Sequence, residues 1–200
     1  MYGGYQFSLI TSGSNHSCGL ASGAIYCWGL NANGQLGDGT TINRVAPTVV
    51  SGNQQFMTVG AGETLTCALD VNGKAWCWGN ISAAATKQTT PKDYPTAPAF
   101  SQLTVGGGHA CALTSDGSAY CWGDNRSGQL GDSTLVNRAD PVAVKGGMKF
   151  KAISAGYEHT CAQTLDGSVA CWGLNSVGEL GDSVTGPRTV PRFVVIGVNP

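Results

Sequence analysis

The 200-residue chain is predicted to be all-β, built of β-propeller blades of four antiparallel strands each, and three observations lead there. The first is recurrence: Cys27-Trp28-Gly29, Cys77-Trp78-Gly79, Cys121-Trp122-Gly123 and Cys171-Trp172-Gly173 stand at steps of 50, 44 and 50 residues, a period that marks repeated supersecondary units. The second is texture: apolar and β-branched residues fall in short runs divided by Gly, Asn-Gly or Asp-Gly, as strands joined by tight turns do. The third is composition, with 30 glycines and no Leu-rich or Ala-rich helical period. One repeat domain over residues 1–200 is expected, with units at about 6–52, 53–99, 100–147 and 148–196.

Each unit can be read strand by strand. Phe7, Phe56, Phe100 and Phe150 precede the first cysteine of their copies by the same 11 positions, and segments such as "FSQLTVG" and "FKAISAG" supply the first strand. The two cysteine-bearing runs form the middle hairpin. In copy four, a loop of Leu165-Asp166-Gly167 makes Thr164 and Ser168 the closing pair, so counting outward sets Cys161 opposite Cys171. The same construction sets Cys67 opposite Cys77 and Cys111 opposite Cys121. Copy one is one residue shorter, and a two-residue Ser22-Gly23 turn again sets Cys18 opposite Cys27. The fourth strand is assigned to the Val-rich runs after Pro47, Pro141 and Pro191, which close "NANGQLGDGTTINRVAP", "NRSGQLGDSTLVNRADP" and "NSVGELGDSVTGPRTVP". Copy two departs, reading "NISAAATKQTTPKDYPTAP" without Gly-Gln-Leu-Gly-Asp. Both flanks of the middle hairpin are apolar or small, as in a blade sandwiched between neighbours.

The Gly-x-x-His-x-Cys segment (Gly156 to Cys161), the Asp-Gly turn, the Trp-Gly pair and "NxxGQLGD" ending in "R-x-x-P" recur in one order and spacing over nearly the whole chain. They resemble the regulator of chromosome condensation repeats, in a cysteine-containing "CWG" form like that of many bacterial members. The resemblance implies blades of a seven-bladed propeller. Four units are present, so either four blades close into a small ring, or the chain is a fragment, or it is an arc of a larger ring completed by another chain. An arc leaves two apolar blade faces open to self-association.

The hairpin register puts each cysteine pair on a non-hydrogen-bonded site, where Cα atoms stand roughly 4.5 Å apart, within reach of a disulfide. The expected structural disulfides are therefore Cys18–Cys27, Cys67–Cys77, Cys111–Cys121 and Cys161–Cys171, each contributing at most about 2 to 3 kcal/mol because the closed loops are short. Zinc is the competing reading, since His16, His109 and His159 each lie two residues before a cysteine. Copy two has Leu65 there, and two strands give too few ligands. A redox dithiol lacks its Cys-x-x-Cys. Asn31-Ala32-Asn33-Gly34 leading to Asp38 faintly resembles a calcium loop but lacks the acidic alternation, and Asn and Asp capping their own turns is preferred. Asn15-His16-Ser17 and Asn125-Arg126-Ser127 match glycosylation acceptors.

A net charge of -1 and the lack of a Lys or Arg cluster exclude nucleic acid as an expected partner. No apolar run approaches a membrane span, so no membrane insertion is expected, and "MYGGYQFSLITSG" lacks the pattern of a secretion signal. Eight cysteines suit an oxidising setting: extracellular, cell-surface or periplasmic. No nucleophile, base and orienting acid can be assembled, because the histidines recur in separate blades, and no catalytic residue, cofactor or metal is expected. The expected partner is another protein. Specificity should sit where copies differ, and the stretch from Ala83 to Tyr94 differs most, so Lys87, Lys92, Asp93 and Tyr94 are nominated as a partner-contact patch. Three function classes follow: an interaction scaffold, guanine-nucleotide exchange on a small GTPase, and a secreted enzyme inhibitor or glycan-binding propeller.

Overall fold

The computed structural model describes residue 4, residues 6–81 and residues 87–195. Blade 1 contains β1 (Leu9–Ser12), β2 (His16–Ala21), β3 (Ala24–Gly29) and β4 (Arg44–Val49). Blade 2 contains β5 (Phe56–Ala61), β6 (Leu65–Asp70), β7 (Ala75–Gly79) and β8 (Gln88–Asp93). Blade 3 contains β9 (Gln102–Val105), β10 (His109–Leu113), β11 (Ala119–Gly123) and β12 (Arg138–Ala143). Blade 4 contains β13 (Phe150–Ala155), β14 (His159–Thr164), β15 (Val169–Gly173) and β16 (Arg188–Phe193). Every sheet is a four-stranded antiparallel meander in chain order.

The hairpin register is the one that turn chemistry dictates. Gln163 faces Val169, Ala162 faces Ala170 and Cys161 faces Cys171, with equivalent pairings in blades 2 and 3. In blade 1, Ser22 (φ 50°) and Gly23 (φ 80°) form the two-residue turn, whose positive φ values match the strand twist. Cys18 again faces Cys27. All eight cysteines are in disulfides, with Cα separations of 4.0–4.1 Å.

The outer strands differ from the expectation that they follow the prolines. Pro47, Pro141 and Pro191 lie inside β4, β12 and β16, which begin three residues earlier at Arg44, Arg138 and Arg188. A sheet edge tolerates proline because one side of the strand has no ladder to supply. A register shift beside each proline takes up the irregularity. Copy two keeps this geometry: β8 holds Pro91, and Gln88 takes the place of the arginine opposite Gly79. Ala83, the start of the nominated stretch, lies outside the described residues.

Three apolar clusters lie between blades, not within them. Leu20, Ile25 and Leu36 of blade 1 pack on Phe56, Val59 and Trp78 of blade 2. Leu65, Leu69 and Tyr94 of blade 2 pack on Phe100, Ala112 and Trp122 of blade 3, and Leu113 and Leu130 of blade 3 pack on Phe150, Ala162 and Trp172 of blade 4. The disulfides of blades 1, 2 and 3 lie on the face that looks to the following blade, inside these clusters. The innermost strands pack side by side from β1 through β5 and β9 to β13. Among the described residues no blade packs on the forward face of blade 4 or the backward face of blade 1, and Cys161 is part-exposed where Cys18, Cys67 and Cys111 are at 0%. The described residues of the four blades follow one another as an arc.

Candidate functional site

The repeated residues are consumed by blade packing. His16 Nε2 lies 2.8 Å from Thr66 Oγ1, and that hydroxyl donates to the Gln35 carbonyl at 2.8 Å. Since the hydroxyl hydrogen is committed to Gln35, His16 carries its proton on Nε2, and Nδ1 is left as a bare, buried acceptor. His109, Thr160 and the Gln129 carbonyl repeat the relay at 2.9 and 3.0 Å. Burial lowers the pKa of His16 to about 4 and that of His109 to about 3. In blades 1 and 3 the cysteines of the His-Cys-Cys set are joined as disulfides and its imidazoles are bound to threonine. The Trp78 and Trp172 indoles donate to the same Gln35 and Gln129 carbonyls, both at 2.9 Å. Trp122, facing a blade without that turn, points its indole at Cys77 Sγ at 3.3 Å.

The Asn-to-Arg turn is also architectural. Asn31 Nδ2 donates to Asp38 and to the Thr40 and Ile42 carbonyls, while its Oδ1 accepts from the Leu36 amide. Arg44 Nε closes the network on Asp38 at 2.7 Å. Burial would raise the Asp38 pKa, but donation by Thr40 and Arg44 outweighs it and holds the carboxyl below its ordinary range. Asn125, Asp132 and Arg138, and Asn175, Asp182 and Arg188, repeat the arrangement. Within the calcium-like segment, the side-chain acceptors of Asn31 and Asp38 are thus engaged by their own turn.

The four nominated residues do not share one surface. Lys87 Nζ donates to the Ala32 carbonyl at 2.7 Å, tying blade 2 to blade 1. Lys92 is exposed on β8, and Asp93 pairs with Lys74. Tyr94 is only 2% exposed, its ring 5.5 Å from Trp122, and desolvation raises its hydroxyl pKa. It fills the second cluster, where the first and third have Leu36 and Leu130.

The place where unlike residues do converge is the mouth at one end of the blades. Each loop between a blade's first two strands carries a variable pair between its Gly and the next strand: Ser14-Asn15, Glu63-Thr64, Gly107-Gly108 and Tyr157-Glu158. Backbone bonds join these loops in sequence, from the Ser14 amide to Gly62, from Glu63 to Gly107 and from Gly107 to Tyr157, at 3.0–3.1 Å. A further repeated bond brings in the residue after Cys-Trp-Gly: Leu30, Asn80, Asp124 and Leu174 donate their amides to Asn15, Thr64, Gly108 and Glu158.

Blade 3 contributes no side chain at its pair, and this shapes the mouth. A Cβ on Gly107 would come within 2.9 Å of the Tyr157 ring. The bare backbone lets Tyr157 lean across blade 3 and donate its hydroxyl to Glu63 of blade 2 at 2.5 Å. That carboxylate raises the Tyr157 pKa. Ser127 donates to Glu158 at 2.9 Å, and Arg126 stands 3.4 Å from Asp124. The result is a cavity of about 210 Å3 walled by Glu63, Asn80, Asp124, Arg126, Tyr157 and Glu158. It holds three carboxylates against one guanidinium, with a tyrosine that is 57% exposed at its rim. Sequence reasoning passed over it. The signal was present in the two positions that vary inside an otherwise repeated Gly-x-x-His, but only the radial arrangement shows that they meet.

Comparison with known proteins places this geometry among relatives. The pattern described as "Regulator of chromosome condensation (RCC1) repeat" matches residues 22–69 and 116–163, and a second pattern of the same description matches residues 7–35, 100–129 and 150–179. The ultraviolet-B receptor UVR8 of Arabidopsis thaliana is 32% identical over 135 residues, covering 62% of this chain and 31% of that protein. Yeast RCC1 (Prp20), in its crystal structure with Kap60, superposes with a TM-score of 0.82 at 25% identity, covering 95% of this chain and 49% of that one. The CRINKLY WD40 ectodomain of the Arabidopsis thaliana receptor kinase ACR4 gives 0.62 at 28% identity, covering 86% and 57%. This chain spans under a third of UVR8 and about half of the yeast propeller chain.

Proposed function

Because the chain belongs to the regulator of chromosome condensation (RCC1) repeat family, we propose that it is a non-catalytic protein-interaction scaffold that engages its partner through the mouth. The observation that carries this reading is the division of labour along the chain. Repeated polar residues are spent on blade packing, while the variable loop pairs are brought together as an exposed surface of mixed chemistry. Tyr157, with Glu63, Glu158 and Arg126 around it, gives an aromatic anchor and charged neighbours, which suit a protein partner. The yeast relative's crystal structure with Kap60 supports a protein partner for propellers of this type. Lys92, with the Lys74–Asp93 pair beside it, is a second contact surface, on the outer strand of blade 2.

We assign the protein to an oxidising setting, secreted or on the cell surface. The eight paired cysteines support this, as does the likeness to a receptor-kinase ectodomain.

Photo-crosslinking tests the assignment of the mouth. A photoreactive residue at position 126 should capture one partner from an extracellular fraction, and Glu63→Ala with Glu158→Ala should abolish that capture. Equal capture from position 45, on the outer strand of blade 1, would overturn the assignment. A nucleotide-release assay on small GTPases and a glycan array test the exchange-factor and lectin readings, and both are expected to be silent.

A further inference from the structure

Carboxylates at the mouth end of the blades fall into two groups. Asp38, Asp132 and Asp182 are held by Arg44, Arg138 and Arg188 at 2.6, 2.8 and 2.7 Å, and Asp124 has Arg126 at 3.4 Å. Glu63 and Glu158 have no cation within ion-pair distance among the described residues, only neutral donors. The Tyr157 hydroxyl donates to Glu63 Oε2 at 2.5 Å and the Ser127 hydroxyl to Glu158 Oε2 at 2.9 Å. Glu179 is likewise met by the Ser176 hydroxyl and the Val177 amide. Against these three stands Lys87, whose ammonium is given to the Ala32 carbonyl. The opposite end has the reverse excess: Lys92, Lys145, Lys151 and Arg192 make no ion pair there among the described residues, against Asp70 and Asp166.

An exposed carboxylate needs no cation, because water serves it. Glu63 and Glu158 differ in being fixed around a hollow. Both wall the cavity of about 210 Å3, which is built wholly from blades 2, 3 and 4 and has the Tyr157 ring as a third wall. The two hydroxyls pin one oxygen of each carboxylate and leave each Oε1 without a protein partner among the described residues. A Cβ on Gly107 would stand 2.9 Å from the ring, so the bare backbone of blade 3 is what lets the aromatic face lie along the hollow. The Tyr157 hydroxyl is held above its ordinary pKa by Glu63 and, to a smaller degree, by Glu158, so both carboxylates bear on the same point.

Resting on the assignment of the mouth as the contact surface, we infer that the partner is a protein presenting a basic side chain, arginine or lysine, on an exposed turn, and that this side chain enters the cavity between Glu63 and Glu158 along the Tyr157 ring. Its guanidinium or ammonium supplies the positive charge that the two glutamates lack, and its donors reach the open Oε1 atoms in charge-assisted hydrogen bonds. The aromatic face adds cation–π attraction. A hollow of about 210 Å3 takes one long side chain and no folded segment. Arg126 keeps Asp124 occupied, which directs the entering cation to the glutamates. The charge division between the two ends of the blades orients such a partner toward the mouth before contact.

Three capped peptides test the idea by nuclear magnetic resonance on the whole chain: acetyl-Gly-Arg-Gly-amide, its lysine form and its glutamate form. The Tyr157 ring signal, assigned by its loss in Tyr157→Phe, is followed in a chain with labelled tyrosine. The arginine and lysine peptides should shift it saturably, more weakly as salt is raised, and the glutamate peptide should not. Glu63→Gln with Glu158→Gln should weaken arginine-peptide binding at least about tenfold. Glu179→Gln, which removes a charge at the same end but outside the cavity, should leave it unchanged. No saturable shift by the arginine peptide overturns the proposal, and so does an equal shift by the glutamate peptide or binding that survives the double glutamine change. Tighter binding of calcium chloride at the same signal also overturns it, in favour of a metal ion. The wider reading of the mouth fails separately: partner capture from position 126 that is lost in the alanine pair but kept in the glutamine pair removes only the basic side chain, whereas equal capture from position 45 removes the mouth itself.

Discussion

Blades 1 and 2 meet through a polar relay, whereas blades 2 and 3 meet through apolar contacts, although the strands on both sides follow one plan. At the first interface His16, Thr66 and the Gln35 carbonyl form a chain that also receives the Trp78 indole. At the second, Leu65 and Ala110 replace histidine and threonine, and Tyr94 fills the cluster that lacks a turn leucine. Copy two reads in isolation as a degenerate repeat. Beside its neighbour it is a matched exchange, in which histidine and its hydroxyl partner are lost together. A single loss would strand a buried polar group, a penalty that the matched exchange avoids.

The comparison can be sharpened by substitution. Trp78→Ala and Trp122→Ala should each cost about 3 to 5 kcal/mol, read as a fall in denaturant midpoint, because both indoles are wholly buried. Trp78→Phe should cost more than Trp122→Phe, since only Trp78 donates to a carbonyl. Equal costs would mean that the relay contributes nothing beyond packing.

Acid should separate the two interfaces next. His16 and His109 titrate near 4 and 3 in the fold and near 6.5 when unfolded, so the unfolded chain binds more protons between these values. Stability should therefore be fully present above about pH 6.5 and fall as pH drops, by on the order of 1 kcal/mol per pH unit for each histidine. Replacing the first relay with the apolar pair, by His16→Leu with Thr66→Ala, should reduce that slope by about half. An unchanged slope would assign the acid response to other groups.

Thr66→Ala should cost about 1 to 3 kcal/mol, since it leaves the His16 donor without its acceptor. Ala110→Thr should cost a similar amount at the apolar interface, where no histidine awaits it. Tyr157→Phe, at the exposed mouth, should change thermal stability by less than about 0.5 kcal/mol while weakening partner capture.

Much of this architecture was legible in the sequence. The turn residues fix the hairpin register, so the cysteine pairs followed from local chemistry. The outer strands were misplaced past Pro47, Pro141 and Pro191 because proline reads as a strand breaker, and only an edge position removes the objection. Tyr94 was taken for a surface residue because its segment lacks the repeat motif, and its burial depends on the absent turn leucine. The mouth escaped because its residues are some 45 positions apart and its shape rests on what Gly107 lacks.

A double-mutant cycle on His16→Leu and Thr66→Ala tests the pairing rule most directly, because the matching of one blade to the next follows from it. The rule predicts that each single substitution lowers stability and that the double variant regains at least about 1 kcal/mol relative to their sum. Additive losses, with no coupling between the two positions, would contradict it.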